Sequence, residues 1–337
     1  MKINLDVYKF LKKRFKGLKI NHSFKKITTM QIGGLAQYFL VVKKETELAE
    51  AIYLAQQLKL QWHVIGEGSN LIPDDLGFAG LIMKNQIINF TIDNNKIFIG
   101  AGNNLLKTII KLNGLGLGGL ENMAGIPGTI GGAIYGSVGA YGQGIRDCLV
   151  RVRIFNGKTF LWLSKERCNF QYRNSVFKSQ KTFIIIGAEF KCQKKDSKGL
   201  LTISKETIKL REKKYPHGLL CPGSFFKNII IDDIHSEKIK QQLLSKIDHT
   251  KIMFGKIPTG YLLEIIGAKG LQQGRIMVAT HHANLLYHKG GGKFKDVLAL
   301  SNILKAKVKN HFGIIIEEEV QYLSNKTDFY TDFIQKF

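Results

Sequence analysis

Residues 124–144, AGIPGTIGGAIYGSVGAYGQG, hold eight glycines and one proline, and no charged residue, in a chain with 50 Lys and Arg and 26 Asp and Glu. Glycine at such density costs backbone entropy, so the run has to deliver something an ordinary helix does not. Ile126, Ile130, Ile134, Val138 and Tyr141 recur through it, which excludes a flexible linker. A neutral ribbon rich in unprotected N–H groups suits close backbone approach to a large, flat, anionic ligand.

A chain of 337 residues exceeds one ordinary core and predicts two or three domains. It has no apolar run long enough to span a bilayer, and its N-terminus lacks the apolar core and cleavage site of a secretion signal. Cys148, Cys168, Cys192 and Cys221 show no CxxC spacing, which reads as reduced thiols of a cytoplasmic protein rather than a zinc site. The net charge of +24 admits nucleic-acid binding. The lysines, however, are spread over the whole chain. Compositional drift, together with an anionic small ligand, accounts for them better, and no nucleic-acid partner is expected.

Tyr8, Leu11, Phe15 and Leu18 fall on one helical face. That face serves either a membrane surface or docking on the body, and so short a segment favours docking, without membrane insertion. From residue 36 strands and helices alternate: a strand AQYFLVV, a helix capped by Thr46, a buried strand WHVIG, a hairpin with Asp93-Asn94-Asn95 at its tip, and a helix over 104–113. A hairpin around Asn156-Gly157 and a strand TFIIIGAEFKC follow. A polar stretch at 194–199 marks a boundary. Beyond it come helices over 201–214, 236–246 and 258–266, strands within 275–287, a helix carrying Phe294 to Val308, and a final strand IIIEEEVQYL. Mixed elements without strict βαβ repetition indicate an α+β fold.

The turn Gly66-Glu67-Gly68-Ser69-Asn70-Leu71 is no dinucleotide fingerprint, and Gly290-Gly291-Gly292-Lys293 lacks the spacing of a phosphate loop. Beside the 124–144 ribbon, GEGSNL makes a second phosphate-facing turn on the same half of the chain. Arg173 lies between Phe170 and Phe177 and suits either a surface ion pair or a fixed two-pronged grip on a carboxylate. Ser224 has no base nearby in sequence, so a hydrolase nucleophile is not indicated. On a strand, Glu317 and Glu319 share one face and Glu318 the other. His281 and His282 alternate on a strand and, with His288, read as packing residues; no metal is expected.

In this order, GEGSNLI, GLGGLENMAGIPGTIGGAIYGSVGAYG, CNFQYRNSVFK, GSFFKN and the terminal EEEV make the chain resemble the UDP-N-acetylenolpyruvoylglucosamine reductase family from about Thr28 to Ser324. The resemblance implies an FAD-binding domain of the vanillyl-alcohol-oxidase (PCMH) type and a C-terminal α+β substrate domain. The boundaries expected are a helical extension over 1–24, the FAD domain with two subdomains over 25–195, the substrate domain over 196–324 and a tail over 325–337. It places Gly66, Gly68, Ser69, Asn70, Leu71, Gly125, Ile126, Pro127, Gly128, Thr129, Gly131 and Gly132 on the cofactor. Tyr172, Lys227 and Asn228 fall on a UDP-sugar substrate. Arg173 and Glu319 become stabilisers of an enol-like species and Ser224 its proton donor, with NADPH as hydride source. Another flavin oxidoreductase of the same fold is the alternative. The family usually has Asn at Ser137, Pro at Ile229 and Arg at Gln321. The short spacing between Arg173 and Ser224 implies the subtype without an inserted loop.

Overall fold

Alternating apolar residues build the sheets, and the computed structural model describes them over residues 3–93 and 96–325. Asn94 and Asn95 of the expected hairpin tip, and the tail beyond 325, lie outside the described residues. The chain divides into two compact units. The first holds the chain up to His22, Ala36–Gly68 and Ala79–Pro216; the second holds Ser23–Leu35, Ser69–Phe78 and the chain from His217 on.

In the first unit, Leu149–Phe155 lies between Phe160–Ser164 and Ile184–Phe190, and Lys96–Gly100 and Phe90–Asp93 complete an antiparallel sheet of five strands. A four-stranded sheet orders Lys19–Ser23, Leu35–Val42, Phe78–Asn85 and Gln61–Ile65, the last two strands running parallel. Gln61–Ile65 is thus an edge strand, and only Ile65 of it is buried, which corrects the expected buried strand. Buried Asn85 ties the two sheets together, its Nδ2 donating to Ile185 O at 3.1 Å while its Oδ1 accepts from Ile87 N–H. The N-terminal helix Leu5–Arg14 docks as expected: Leu11, Phe15 and Leu18 enter one core with Tyr38, Leu48 and Ile52.

Lys44, not Thr46, stands at the N-cap of the helix Glu45–Gln57, because Thr46 already lies inside the first turn. The glycine ribbon contains a short helix, Ile130–Tyr135, whose Thr129 side chain accepts from Gly132 N–H. The helix Ser197–Lys214, expected at the head of the C-terminal domain, packs in the first unit. It buries Leu200, Ser204 and Thr207, and Asn113 Nδ2 donates to Ser204 Oγ at 2.7 Å. A helix follows the core that its apolar stripe and its polar partners fit, here the helix Leu105–Gly114.

In the second unit the helix Phe294–Phe312 buries Val297, Leu300, Leu304, Val308 and Phe312 at three- and four-residue spacing. Against it pack Met30, Ile32, Ile72, Phe225, Phe226, Ile276 and Val278. The helix stops at Gly313, which takes φ 78°, and its N–H returns to Lys309 O. The last strand is only Gln321–Leu323, paired in parallel with Leu71–Pro73. Residues 314–320 run irregularly because Glu318 turns inward to the long helix. Likewise 281–282 form a bend, not a strand.

Glu121 controls the entry to the ribbon. Its carboxylate accepts from Gly119 N–H at 2.5 Å and meets Lys195 Nζ at 3.3 Å, with the side chain 4% exposed. Burial alone raises its pKa, but the Gly119 hydrogen bond, Gln143 and Lys195 outweigh burial and hold it below the usual carboxylate range. A depressed folded-state pKa gives stability that is present above the unfolded value and lost as pH falls through the folded one. Glu121→Ala is expected to cost about 1.5–3 kcal/mol near neutral pH. Denaturant midpoints of wild type and variant should converge as pH drops below about 4.

Candidate functional site

In the first unit the two glycine turns meet. A Cβ at Gly66 would stand 2.5 Å from Thr129 Oγ1, so only glycine permits this approach. Asn104, the N-cap of the helix Leu105–Gly114, donates through Nδ2 to both oxygens of Glu67, at 3.0 and 3.2 Å. Leu105 N–H donates to Gly128 O and Ile130 N–H to Asn103 O, each at 2.9 Å. Gly66, Glu67 and the ribbon thus form one surface of the first unit, with Asn104 as the staple between them.

The donors of this surface are fewer than the sequence suggests. Ile130, Gly131 and Gly132 N–H groups are spent on Asn103 O, Ala101 O and Thr129 Oγ1. Gly131 serves packing, since a Cβ there would fall 2.8 Å from Ala101 Cβ. Ile126 N–H returns to Met123 O. Among the described residues, no protein acceptor takes the N–H of Glu67, Gly68, Gly125 or Gly128. Gly125 and Gly128 hold φ of 85° and 123°, a backbone suited to glycine. Such N–H groups form an anion-binding concavity without a lysine.

Arg173 also lies in this unit, at the head of a turn closed between Gln171 and Asn174. It adopts φ 53°, in the left-handed region that costs a non-glycine residue about 1–2 kcal/mol. Its carbonyl accepts from Lys178 Nζ at 2.7 Å, and its guanidinium carbon stands 5.9 Å from the Tyr172 ring centre. Ser175 Oγ donates to Tyr135 O at 2.7 Å, joining the turn to the last residue of the ribbon helix.

The second unit assembles Ser69, Asn70, Leu71, Ser224, Lys227, Asn228 and Glu319. Asn70 Nδ2 donates to Glu319 O at 3.0 Å, across 249 sequence positions, and Gln321 N–H to Asn70 O at 2.9 Å. Leu71 pairs with Gln321. Thr29 Oγ1 donates to Ser69 O and Cys221 O. The Ser224 segment is held by buried Asn284, whose O accepts from Phe225 N–H, Oδ1 from Phe226 N–H, and whose Nδ2 donates to Phe226 O. Glu319 N–H donates to Phe225 O at 2.8 Å and Lys227 N–H to Glu317 O at 2.9 Å. Thr259 Oγ1 donates to Lys227 O, and Asn228 Oδ1 accepts from Thr259 N–H.

The three glutamates have different surroundings. Glu317 is exposed and pairs with Lys227 Nζ at 2.8 Å, an ion pair weak enough to exchange. Glu318 is buried, accepting from Ser301 Oγ at 2.8 Å and pairing with Lys305 Nζ at 2.5 Å. Glu319 is half-buried beside the Ser224 segment. Asn104, Asn284 and Glu318 are the residues that sequence reading missed. Asn284 had a signal: a lone amide inside the apolar run Ala283 to Leu286.

His288 is a packing residue, its Nε2 2.6 Å from Met30 O and its Nδ1 accepting from Gly290 N–H. A cavity of about 670 Å³ beside Gly291, Gly292 and Lys293 contains none of the predicted site residues. Among the described residues, no three His, Cys, Asp or Glu gather to hold a metal ion. No helix there is long and apolar enough to cross a membrane.

The architecture is that of a flavin-binding module followed by a substrate domain. A family model described as "FAD binding domain" matches residues 36–159, and one described as "UDP-N-acetylenolpyruvoylglucosamine reductase, C-terminal domain" matches 216–323. The chain is 36% identical over 296 residues to UDP-N-acetylenolpyruvoylglucosamine reductase of Solibacter usitatus, covering 88% of this chain and 93% of that one. It is 29% identical over 311 residues to reductase 1 of that name from Bacillus anthracis, covering 90% and 94%. The crystal structure of the Thermus caldophilus enzyme superposes with a TM-score of 0.69 at 24% identity, over 91% of this chain and 98% of that one, and shows the shared fold. The chain belongs to the UDP-N-acetylenolpyruvoylglucosamine reductase family.

Asn284→Ala removes two bonds to Phe226 and leaves a buried N–H and C=O unpaired. It is expected to cost about 2–4 kcal/mol, read as a lower thermal midpoint. Asn284→Asp puts a buried carboxylate oxygen, which cannot donate when ionised, against Phe226 O and should cost at least as much.

Proposed function

We propose that the protein is an NADPH-dependent flavoenzyme that reduces the enolpyruvyl group of UDP-N-acetylglucosamine enolpyruvate to UDP-N-acetylmuramate, a cytoplasmic step of peptidoglycan precursor synthesis. Family membership along nearly the whole chain carries the reading. The first unit is read as the FAD domain and the second as the substrate domain. The glycine surface fits the cofactor: the N–H groups of Glu67, Gly68, Gly125 and Gly128 face no protein acceptor. These four donors are assigned to the FAD pyrophosphate.

FAD, when bound, would supply the hydride-transfer chemistry between NADPH and the enolpyruvyl group. The chain's own residues do the rest. Arg173, fixed by its left-handed backbone, grips the substrate carboxylate with two hydrogen bonds. It opposes the negative charge that develops on the carboxylate-bearing fragment, and Glu319 assists polarisation of the enolpyruvyl group and stabilises the enol-like species. Ser224 Oγ gives its proton to the carbon next to the one that receives hydride, and Lys227 and Asn228 hold the UDP-sugar. A serine is a weak acid, so its position on a segment anchored by Asn284 counts for more than its intrinsic acidity.

An absorbance spectrum of purified protein should show a bound flavin that bleaches with NADPH and recovers with the enolpyruvyl substrate. Protein that neither carries nor takes up FAD would end this reading. Ser224→Ala should leave flavin bleaching by NADPH intact and slow recovery by about 10²–10⁴-fold; equal slowing of both phases would remove Ser224 from proton donation. Gly66→Ala drives a methyl into Thr129 and should lower flavin occupancy, measured as the ratio of flavin to protein absorbance.

A further inference from the structure

Cys148 and Cys192 stand 44 positions apart in the sequence, yet fold into one corner of the first unit. Leu149 pairs with Phe190, and Lys191 N–H donates to Cys148 O at 2.8 Å, so the end of the helix Ile145–Cys148 lies against the chain leaving the strand Ile184–Phe190. Both sulfurs pack on the same core, Cys148 buried and Cys192 half-buried. The two side chains interact, the Cys192 thiol acting on Cys148 Sγ through a hydrogen bond.

We infer that Cys148 and Cys192 are a redox-active dithiol that closes reversibly to a disulfide when the protein meets a hydroperoxide. This inference is independent of the proposed substrate and cofactor. The Lys191 N–H to Cys148 O bond holds the two backbones side by side, and both side chains turn into one core, the placement a reversible disulfide requires. Polarity is built in as well. The hydrogen bond from Cys192 holds the Cys148 thiol below its usual range, against burial and the carboxylates of Asp147 and Glu121, with Lys195 helping. The same bond, with burial, pushes the Cys192 thiol up, which makes it the proton-bearing partner. Cys148 keeps 7% of its surface exposed, so the fitting oxidant is as small as hydrogen peroxide.

The Cys148 thiolate attacks one peroxide oxygen; the O–O bond breaks, hydroxide leaves, and Cys148 becomes a sulfenic acid. The Cys192 sulfur then attacks the Cys148 sulfur, the S–O bond breaks, and the Cys192 proton leaves with the hydroxyl as water. The two thiols lose two electrons, and the peroxide is reduced to two waters. The other two cysteines are poorer targets. Burial, then Glu166, pushes the Cys168 thiol up to about 12, and burial raises Cys221. A disulfide here also acts on the ribbon's entry, because Cys148 Sγ packs where a Gly119 Cβ would be and Gly119 N–H is held by Glu121.

The test uses the full chain with its flavin, treated with hydrogen peroxide, blocked with an alkylating agent and mapped by mass spectrometry without reduction. The expected result is a Cys148–Cys192 cross-linked peptide two mass units below the sum of its parts, with Cys168 and Cys221 still alkylated. Thiol reductant should restore all four alkylations. In Cys192→Ser, Cys148 should stop at a sulfenic acid that dimedone traps, and no cross-link should form. Four free thiols after treatment, a cross-link to Cys168 or Cys221, or dimedone on Cys221 in place of Cys148 would each overturn the assignment. The wild-type map needs no variant to fold, so it stands alone if Cys192→Ser is unstable.

Discussion

The missing side chain of Gly66 is the constraint from which the first unit's site follows. Thr129 Oγ1 fills the space a Cβ would take, and the same hydroxyl caps the helix Ile130–Tyr135. One contact therefore sets the distance between two glycine turns and the direction of the helix that leaves the second. Asn104 adds the polar half of the joint through Glu67. The surface is rigid because its own carbonyls and hydroxyls spend most of the nearby N–H groups.

In the second unit the same economy is achieved with one buried amide. Asn284 satisfies the backbone on both sides of Phe226, and Glu319 N–H completes the ladder to Phe225. Phe225 and Phe226 are both fully buried, so the segment is anchored by side chains below and hydrogen bonds beside it, and Ser224 and Lys227 are left at its two ends. Glu318 performs the matching task for Glu319. Drawn inward to Ser301 and Lys305, it turns its neighbours outward. A buried carboxylate is tolerated here only because a lysine and two hydroxyls meet it.

Much of this was legible from residues alone. The α+β class, the docked N-terminal helix and the approach of Gly66 and Glu67 to the ribbon follow from periodicity and glycine placement. What escaped has a common physical cause. The position of the helix Ser197–Lys214 depends on Asn113, Ser204 and Glu121, polar residues whose partners lie about 80 to 90 positions away in sequence. Glu318 looked like a solvated charge because nothing local reveals a partner on another helix. The short strand Gln321–Leu323 was overextended to the apolar run before it, where the buried Ile314 and Ile316 come from packing beside the long helix rather than from pairing. Local pattern reports propensity; long-range polar partners decide which core a segment joins.

Ser137 shows how a departure from the family pattern can keep geometry and still alter energy. It closes the ribbon helix with φ 45°, nearly buried, its N–H on Ile134 O. Asparagine, the usual residue there by resemblance, enters this left-handed region more readily than serine. The requirement at the position is therefore on the backbone, and serine meets it at a conformational cost on the order of 1 kcal/mol. Arg173, with φ 53°, carries a similar strain, and Ser175 links its turn to Tyr135, two residues before Ser137. Two strained residues bound to one short helix make the turn that presents Arg173 dependent on how firmly the ribbon's end is folded. A residue at 137 that relaxes this strain would stabilise the ribbon without touching a ligand, which separates the energetic meaning of the departure from any loss of binding contact.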